Sequence, residues 1–234
     1  MRTKKIALLL AGALLGGVAL TAAANGSGQD ILKQQCIACH AVVKPEKTTL
    51  DRLWERKGPD LHYAGDKFNR EWLEAWLQNP STLRPAGVMY AKTAKPAADK
   101  SADQIDAIQL APHPKLSKED AAVVTDSLMA LKVDGLVQKG GFKNEPVNAS
   151  FASMLFSKLR GCTSCHAAKP GTGGQSGPEL YSAGDRLQPD FVAAFIKDPQ
   201  KFTPHVWMPK LDLNEADVQK LTGYIATMKA GEKK

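Results

Sequence analysis

A five-residue pattern, Cys-x-x-Cys-His, occurs twice in this chain and uses all four of its cysteines. The first copy runs from Cys36 to His40 and the second from Cys162 to His166. This spacing is typical of covalent haem attachment, in which two thiols three positions apart form thioethers with the haem vinyl groups. The adjoining histidine then lies beneath the ring, where an imidazole nitrogen reaches the iron. The sequence therefore predicts two covalently attached haem c groups, held by these side chains: Cys36, Cys39 and His40 for the first, and Cys162, Cys165 and His166 for the second.

Two other kinds of Cys-x-x-Cys site fit the pattern less well. A zinc site usually has four Cys or His ligands, and each copy here offers three with no fourth nearby. A redox-active pair of the thioredoxin type has no need of a histidine directly after the second cysteine. Since both motifs together use every cysteine, none is left for a disulfide.

Residues 1–24 have the pattern of a cleavable secretory signal peptide. A basic start is followed by an apolar stretch from Ile6 to Leu20 and by small residues up to Ala24. An uncleaved membrane anchor is the alternative, because Ile6 to Ala24 is nearly long enough to span a bilayer. Haem c is attached outside the cytoplasmic membrane in bacteria, so the periplasm is the expected location.

The charge of the chain argues against nucleic acid as a partner. The formal charge of +7 includes three basic residues of the signal peptide, and four haem propionates would bring the remainder close to zero. No run of Lys and Arg is interleaved with aromatic residues, as a nucleic-acid surface would require. Lysines gathered near a haem edge would instead steer acidic protein partners.

The two motifs lie in two copies of one unit. Residues 58–89 match residues 177–208 without a gap, at a constant offset of 119 and with ten identical positions. A second pair of segments, 116–132 and 213–229, matches at an offset of 97. Duplication is the simplest cause. We therefore divide the chain into a signal peptide (1–24), a first unit (25–133) with an insertion at about 90–115, a linker (134–149) and a second unit (150–234).

Each unit is predicted to be mostly helical. Apolar spacing predicts a middle helix from Arg70 to Gln78, stopped by Asn79-Pro80, and its counterpart from Pro189 to Lys197, stopped by Asp198-Pro199. Other helices are predicted ahead of each haem motif, at about 29–35 and 150–159, and at the end of each unit. The aromatic residues of the middle helix are expected to form core or haem-pocket wall.

The motifs and the repeat together resemble a dihaem cytochrome c made of two class I domains, the type of mitochondrial cytochrome c. The resemblance implies an all-α fold with two tandem domains, each a small helical fold around one covalently bound haem. In that family a methionine ahead of the last helix is the sixth iron ligand, and the carbonyl of a Gly-Pro turn accepts a hydrogen bond from the proximal imidazole. By resemblance these roles fall on Met89 and Met208 for the iron, and on Pro59 and Pro178 for the imidazoles.

The first unit departs from the family pattern after its methionine. Met208 is followed by the usual proline, whereas Met89 is followed by Tyr90 and a 22-residue excess that is rich in Ala, Lys and Pro. This insertion contains His113. Three alternatives are therefore open for the first iron, namely Met89, His113 or no strong distal ligand.

The resemblance implies electron transfer rather than catalysis. A methionine thioether paired with histidine raises the reduction potential of haem iron, and iron with six ligands has no open position. The expected function is to carry single electrons from a quinol-oxidising complex or dehydrogenase to an oxidase or reductase, in association with membrane respiratory complexes. The alternative is a dihaem enzyme of the peroxidase or thiosulfate-dehydrogenase type, with the first haem as its reactive site.

Overall fold

The computed structural model of the chain describes residues 27–106 and 109–230. The predicted signal peptide, at residues 1–24, lies outside the described residues. The described chain is mostly helical, as the sequence predicts. Within these two ranges no helix combines the length and the apolar character needed to cross a bilayer.

The first unit contains short helices and one small sheet. Its elements are α1 (Gly28–Ile31), continued by a π-helical turn (Leu32–Cys36), then α2 (Leu50–Glu55), α3 (Ala64–Lys67), α4 (Arg70–Gln78), α5 (Val88–Thr93), β1 (Ala94–Pro96), β2 (Asp103–Ile105) and α6 (Lys118–Met129). The second unit repeats four of these helices, with α7, α8, α9 and α10 corresponding to α1, α3, α4 and α6. Its elements are α7 (Ala149–Met154), continued by a π-helical turn (Leu155–Leu159), a 3₁₀ turn (Cys162–Ser164), α8 (Ala183–Arg186), α9 (Pro189–Lys197), a 3₁₀ turn (Pro199–Lys201) and α10 (Glu215–Ala226).

Local sequence signals set the ends of the main helices. The middle helices α4 and α9 have the predicted bounds, and each ends at the residue before an Asx-Pro pair. The final helices begin at polar caps. The Ser117 hydroxyl accepts a hydrogen bond from the Asp120 backbone N–H at 3.0 Å, and the Asn214 side chain accepts one from the Asp217 N–H at 2.8 Å.

Buried apolar side chains form two clusters, one centred on each unit, and Tyr63 of the first unit packs in the second cluster against Phe191 and Phe202. The first cluster joins α1, α4 and α6, and includes Ile31, Leu32, Leu73, Leu77, Val124 and Leu128. The second cluster joins α7, α9 and α10, and includes Leu155, Phe156, Phe191, Ile196, Leu221 and Ile225. The linker packs on the second unit, where the backbone N–H groups of Gly140 and Phe142 each donate to the Asp190 carboxylate at 2.8 Å.

The two units meet at a short antiparallel bridge between Phe68 and Leu187, which are equivalent residues of the repeat. The Asn69 N–H donates to the Arg186 carbonyl at 2.8 Å, and the equivalent Gln188 N–H donates to the Lys67 carbonyl at 2.9 Å. The side chains repeat the exchange. The Asn69 amide donates to carbonyls of residues 184, 185 and 187, and the Gln188 amide donates to carbonyls of residues 65 and 68. Each of these bonds has a counterpart in the other direction, except the one from the Asn69 amide to the Asp185 carbonyl.

The all-α prediction omits a small sheet in the insertion. Strands β1 and β2 pair antiparallel, with Ala94 opposite Ile105 and Pro96 opposite Asp103. Each strand has three residues, and most of them are exposed, so neither shows the alternating apolar pattern by which a half-buried strand is recognised. Residues 94–105 of the insertion therefore form a hairpin.

Candidate haem-binding sites

Both Cys-x-x-Cys-His motifs adopt the same helical turn. The His40 N–H donates to the Cys36 carbonyl at 3.0 Å, and the His166 N–H donates to the Cys162 carbonyl at 3.0 Å. Residues four apart on a helical turn lie on one face. The first thiol and the histidine of each motif are thus held on the same side of the chain.

Each of these histidines is anchored by the carbonyl of a Gly-Pro turn. The Nδ1 atom of His40 lies 2.8 Å from the Pro59 carbonyl oxygen, and the Nδ1 atom of His166 lies 2.9 Å from that of Pro178. A carbonyl can only accept a hydrogen bond, so Nδ1 must carry the proton in both rings. This leaves Nε2 with a free lone pair, which is the form that a metal-binding histidine requires.

The glycines before these prolines make room for the imidazoles. A Cβ atom added at Gly58 would lie 2.5 Å from Cε1 of His40, and one added at Gly177 would lie 2.7 Å from Cε1 of His166. Sequence reasoning assigned roles to the prolines and passed over these glycines, although the repeated Gly-Pro pair was the signal that could have identified them.

The cysteines do not have the character of a redox-active pair. The first cysteine of each motif is half-buried and the second is exposed. Burial raises the pKa of the Cys36 and Cys162 thiols. Reactive Cys-x-x-Cys pairs instead depend on a lowered thiol pKa, so this arrangement favours attachment over thiol–disulfide exchange.

Met208 lies on the second unit in the loop before α10. Its half-buried side chain packs against the second cluster, and its carbonyl accepts a hydrogen bond from the Gln200 side-chain amide at 2.9 Å. A thioether held in this way can supply a soft sulfur ligand. Coordination by Met208 stays a prediction.

Met89 lies in the first turn of α5. The structure ties the preceding segment to the second unit, since the Gly87 N–H donates to the Ser176 carbonyl at 2.9 Å and the Arg84 guanidinium donates to the Gln175 carbonyl at 2.8 Å. Coordination by Met89 also stays a prediction.

The structure places His113 beside the histidine of the first motif. The ring centres of His40 and His113 are 6.3 Å apart. His113 also contacts Trp76, with ring centres 4.5 Å apart and planes at 60°. The sequence named His113 as an alternative ligand but gave no sign of its contact with α4.

The aromatic residues of α4 form a row. Phe68 stacks on Trp72 with ring centres 5.8 Å apart, and Trp72 stacks on Trp76 at 5.7 Å. Both tryptophans are half-buried and pack against the first cluster, as the sequence predicts for core or pocket wall. The row runs from the contact between the units to His113.

These features fit a haem held by each motif. The proximal imidazoles present the correct nitrogen, the glycines leave space for the rings, and the thiols lie on the adjacent turn. Within residues 27–106 and 109–230, no three His, Cys, Asp or Glu side chains are grouped so as to hold a metal ion by themselves. Haem itself remains a prediction.

Comparison with known proteins adds one partial similarity. No known family profile matches the chain, and no solved structure matches it. One curated protein does match. It is cytochrome c oxidase subunit 2 from Bacillus sp. (strain PS3), which is 27% identical over 115 residues. The match covers 46% of this chain and 26% of that protein, so the chain spans about a quarter of the length of this relative.

Proposed function

We propose that this chain is a periplasmic dihaem c-type cytochrome that carries single electrons between respiratory or dehydrogenase partners. The observation that carries the proposal is the repeated site. In both units an imidazole with its Nδ1 proton held by a Gly-Pro carbonyl follows a Cys-x-x-Cys turn. The partial similarity to an oxidase subunit supports a place in respiratory electron transport, and hence protein partners of the donor and acceptor type.

Bound haem would supply an iron that takes up and releases one electron. The residues of the chain would fix how readily it does so. Cys36 and Cys39, with Cys162 and Cys165, would anchor the two groups, and the Pro59 and Pro178 carbonyls would keep the proximal rings oriented. Met208 would supply a thioether sulfur ligand to the second haem, and a soft thioether ligand favours the reduced state.

Imidazole ligands that are held rigidly, as those of His40 and His166 would be, suit electron transfer. Each imidazole is fixed on one side by a hydrogen bond from Nδ1 and on another by the backbone of a glycine without a side chain. Little structural rearrangement would therefore accompany a change in the charge of the bound group. Electron exchange with a partner would require only contact near a haem edge.

Mass spectrometry of the full chain, produced in a host that attaches haem c, tests the proposal. We expect a mass increase of two haem groups in the wild type. Replacing Cys36 and Cys39 by serine should remove one group, and replacing Cys162 and Cys165 should remove the other. A chain that gains no haem, or that keeps both in either variant, would overturn the assignment.

A second measurement separates a carrier from an enzyme. A carrier should show two one-electron steps in a redox titration and should exchange electrons with small cytochromes in stopped-flow mixing. A peroxidase-type enzyme would instead bind cyanide or carbon monoxide at the first iron and would turn over peroxide. Rapid binding of either ligand to the holoprotein as isolated would favour the enzyme.

A further inference from the structure

In the first site, the distance between the rings of His40 and His113 suits two histidine ligands of one iron. Metal–nitrogen bonds to histidine are about 2 Å long, and a ring nitrogen lies about 1 Å from its ring centre, so two imidazoles on opposite sides of one iron have centres about 6 Å apart. The observed separation between the His40 and His113 ring centres is 6.3 Å.

We propose that His113, and not Met89, is the distal ligand of the first haem. This proposal rests on the proposed function, since it requires a haem at the first motif. The angle of 55° between the two ring planes fits the arrangement. Rings on opposite sides of one iron share an axis, and each can rotate about that axis without moving its nitrogen away from the metal.

The protonation of both rings suits this role. The Nδ1 atom of His113 lies 3.1 Å from the Pro114 carbonyl oxygen, and that of His40 lies 2.8 Å from the Pro59 carbonyl oxygen. Each carbonyl can only accept, so Nδ1 carries the proton and Nε2 keeps its lone pair in both rings. A hydrogen bond from the second ring nitrogen is the usual way in which proteins orient a metal-binding histidine. His113 thus has the same kind of support as the proximal ligand.

The first unit holds His113 firmly. The Trp76 ring packs against it, and the Trp76 indole N–H donates to the Ser81 carbonyl at 3.0 Å. Three residues after His113, the Leu116 N–H donates to the Leu77 carbonyl at 3.0 Å. The end of α4 therefore fixes both the ring and the chain that follows it.

His113 and Met208 lie at similar distances before the final helix of their units. His113 precedes the cap of α6, Ser117, by four residues, and Met208 precedes the cap of α10, Asn214, by six. Met89 precedes Ser117 by 28 residues, and its segment is hydrogen bonded to the second unit. When residues are counted back from the final helix, His113 lies near the position that Met208 holds in the second unit. The insertion then falls mainly between Met89 and this position.

Two different distal ligands would give the two haems different reduction potentials. A methionine thioether paired with histidine raises the potential of haem iron, and a second imidazole lacks this effect. The first haem would therefore have the lower potential. One electron from an external donor would enter at the first unit, pass to the second and leave to an external acceptor, with no bond formed or broken and no proton transferred.

Spectroscopy of the complete holoprotein tests this proposal through the far-red absorption band that ferric haem shows with a methionine ligand. In the wild type we expect the intensity of this band to correspond to one methionine-ligated haem. A redox titration should give two different reduction potentials. His113→Ala should make the first haem high-spin, and added imidazole should restore its low-spin spectrum. Met89→Leu, the matched control, should leave the spectrum and both potentials unchanged.

A conversion variant covers the case in which His113→Ala does not assemble. His113→Met should add a second far-red band and raise the lower potential. The proposal is overturned if the far-red band of the wild type has the intensity of two methionine-ligated haems, or if Met89→Leu reduces that intensity. It is also overturned if the first haem of His113→Ala stays low-spin without added imidazole. These outcomes refute only the ligand assignment, because the proposed function fails on a separate result, the absence of covalent haem.

Discussion

The glycine before each proline offers a direct test of where the proximal imidazoles lie. An alanine Cβ at position 58 would lie 2.5 Å from Cε1 of His40, whereas ordinary contact begins at 3.4 Å, so the ring must retreat by about 0.9 Å. An alanine Cβ at position 177 would lie 2.7 Å from Cε1 of His166, so this ring must move away by about 0.7 Å. Functional groups generally have to stay within about 0.5 Å of their working positions. Each substitution should therefore weaken one iron–imidazole bond.

The assay is the spin state and potential of each haem in Gly58→Ala and Gly177→Ala. Thioether attachment should persist, because the cysteines are unchanged, while the affected haem becomes partly high-spin. Crowding of this kind also costs roughly 1–3 kcal/mol of folding free energy, which thermal unfolding would detect. Each variant should alter the haem of its own unit and leave the other unchanged.

Two other glycines supply matched controls. A Cβ at Gly65 would lie 2.1 Å from the Met129 carbonyl oxygen, and one at Gly184 would lie 2.2 Å from the Ala226 carbonyl oxygen. Alanine at either position should lower stability with normal haem ligation. The reasoning is refuted if Gly58→Ala and Gly177→Ala keep low-spin spectra and wild-type potentials.

Two further predictions concern the contact between the units. Asn69→Ala removes the amide that donates to the Asp185 carbonyl at 2.9 Å and leaves carbonyls without a partner. The unfolding free energy measured in urea should therefore fall by about 1–3 kcal/mol. An unchanged unfolding free energy would contradict this prediction. Burial lowers the pKa of Lys67 from 10.5 to about 8. The unfolded chain then binds more protons than the folded chain between these values, so the unfolding free energy should rise from pH 8 to pH 10 relative to Lys67→Met. A difference between the two proteins that does not vary with pH would show that Lys67 is not desolvated.

Sequence reasoning succeeded where the signals are local. The bounds of α4 and α9 follow from apolar spacing and from the prolines at positions 80 and 199, which act within a few residues. The hydrogen bonds to the Pro59 and Pro178 carbonyls were expected from the resemblance to class I cytochromes c, and the structure shows both.

The sequence was less informative about contacts between segments that are far apart in the chain. The approach of His113 to His40 depends on how the insertion folds back onto α4, and no spacing rule relates residues so far apart. Asn69 and Gln188 look like surface residues in the sequence because they are polar, yet their amides bridge the two units. The hairpin in the insertion was missed because three-residue strands have too few positions to show a period.

The reciprocal bonds at the Phe68–Leu187 bridge have an evolutionary consequence. A contact in which each side offers what the other needs is self-complementary, which is the property of a two-fold homodimer interface. A single ancestral unit with this surface would pair with another copy of itself. Joining two such copies in one chain would replace an association that depends on concentration with a permanent one, and would free one copy to change its iron ligand while the other kept the original.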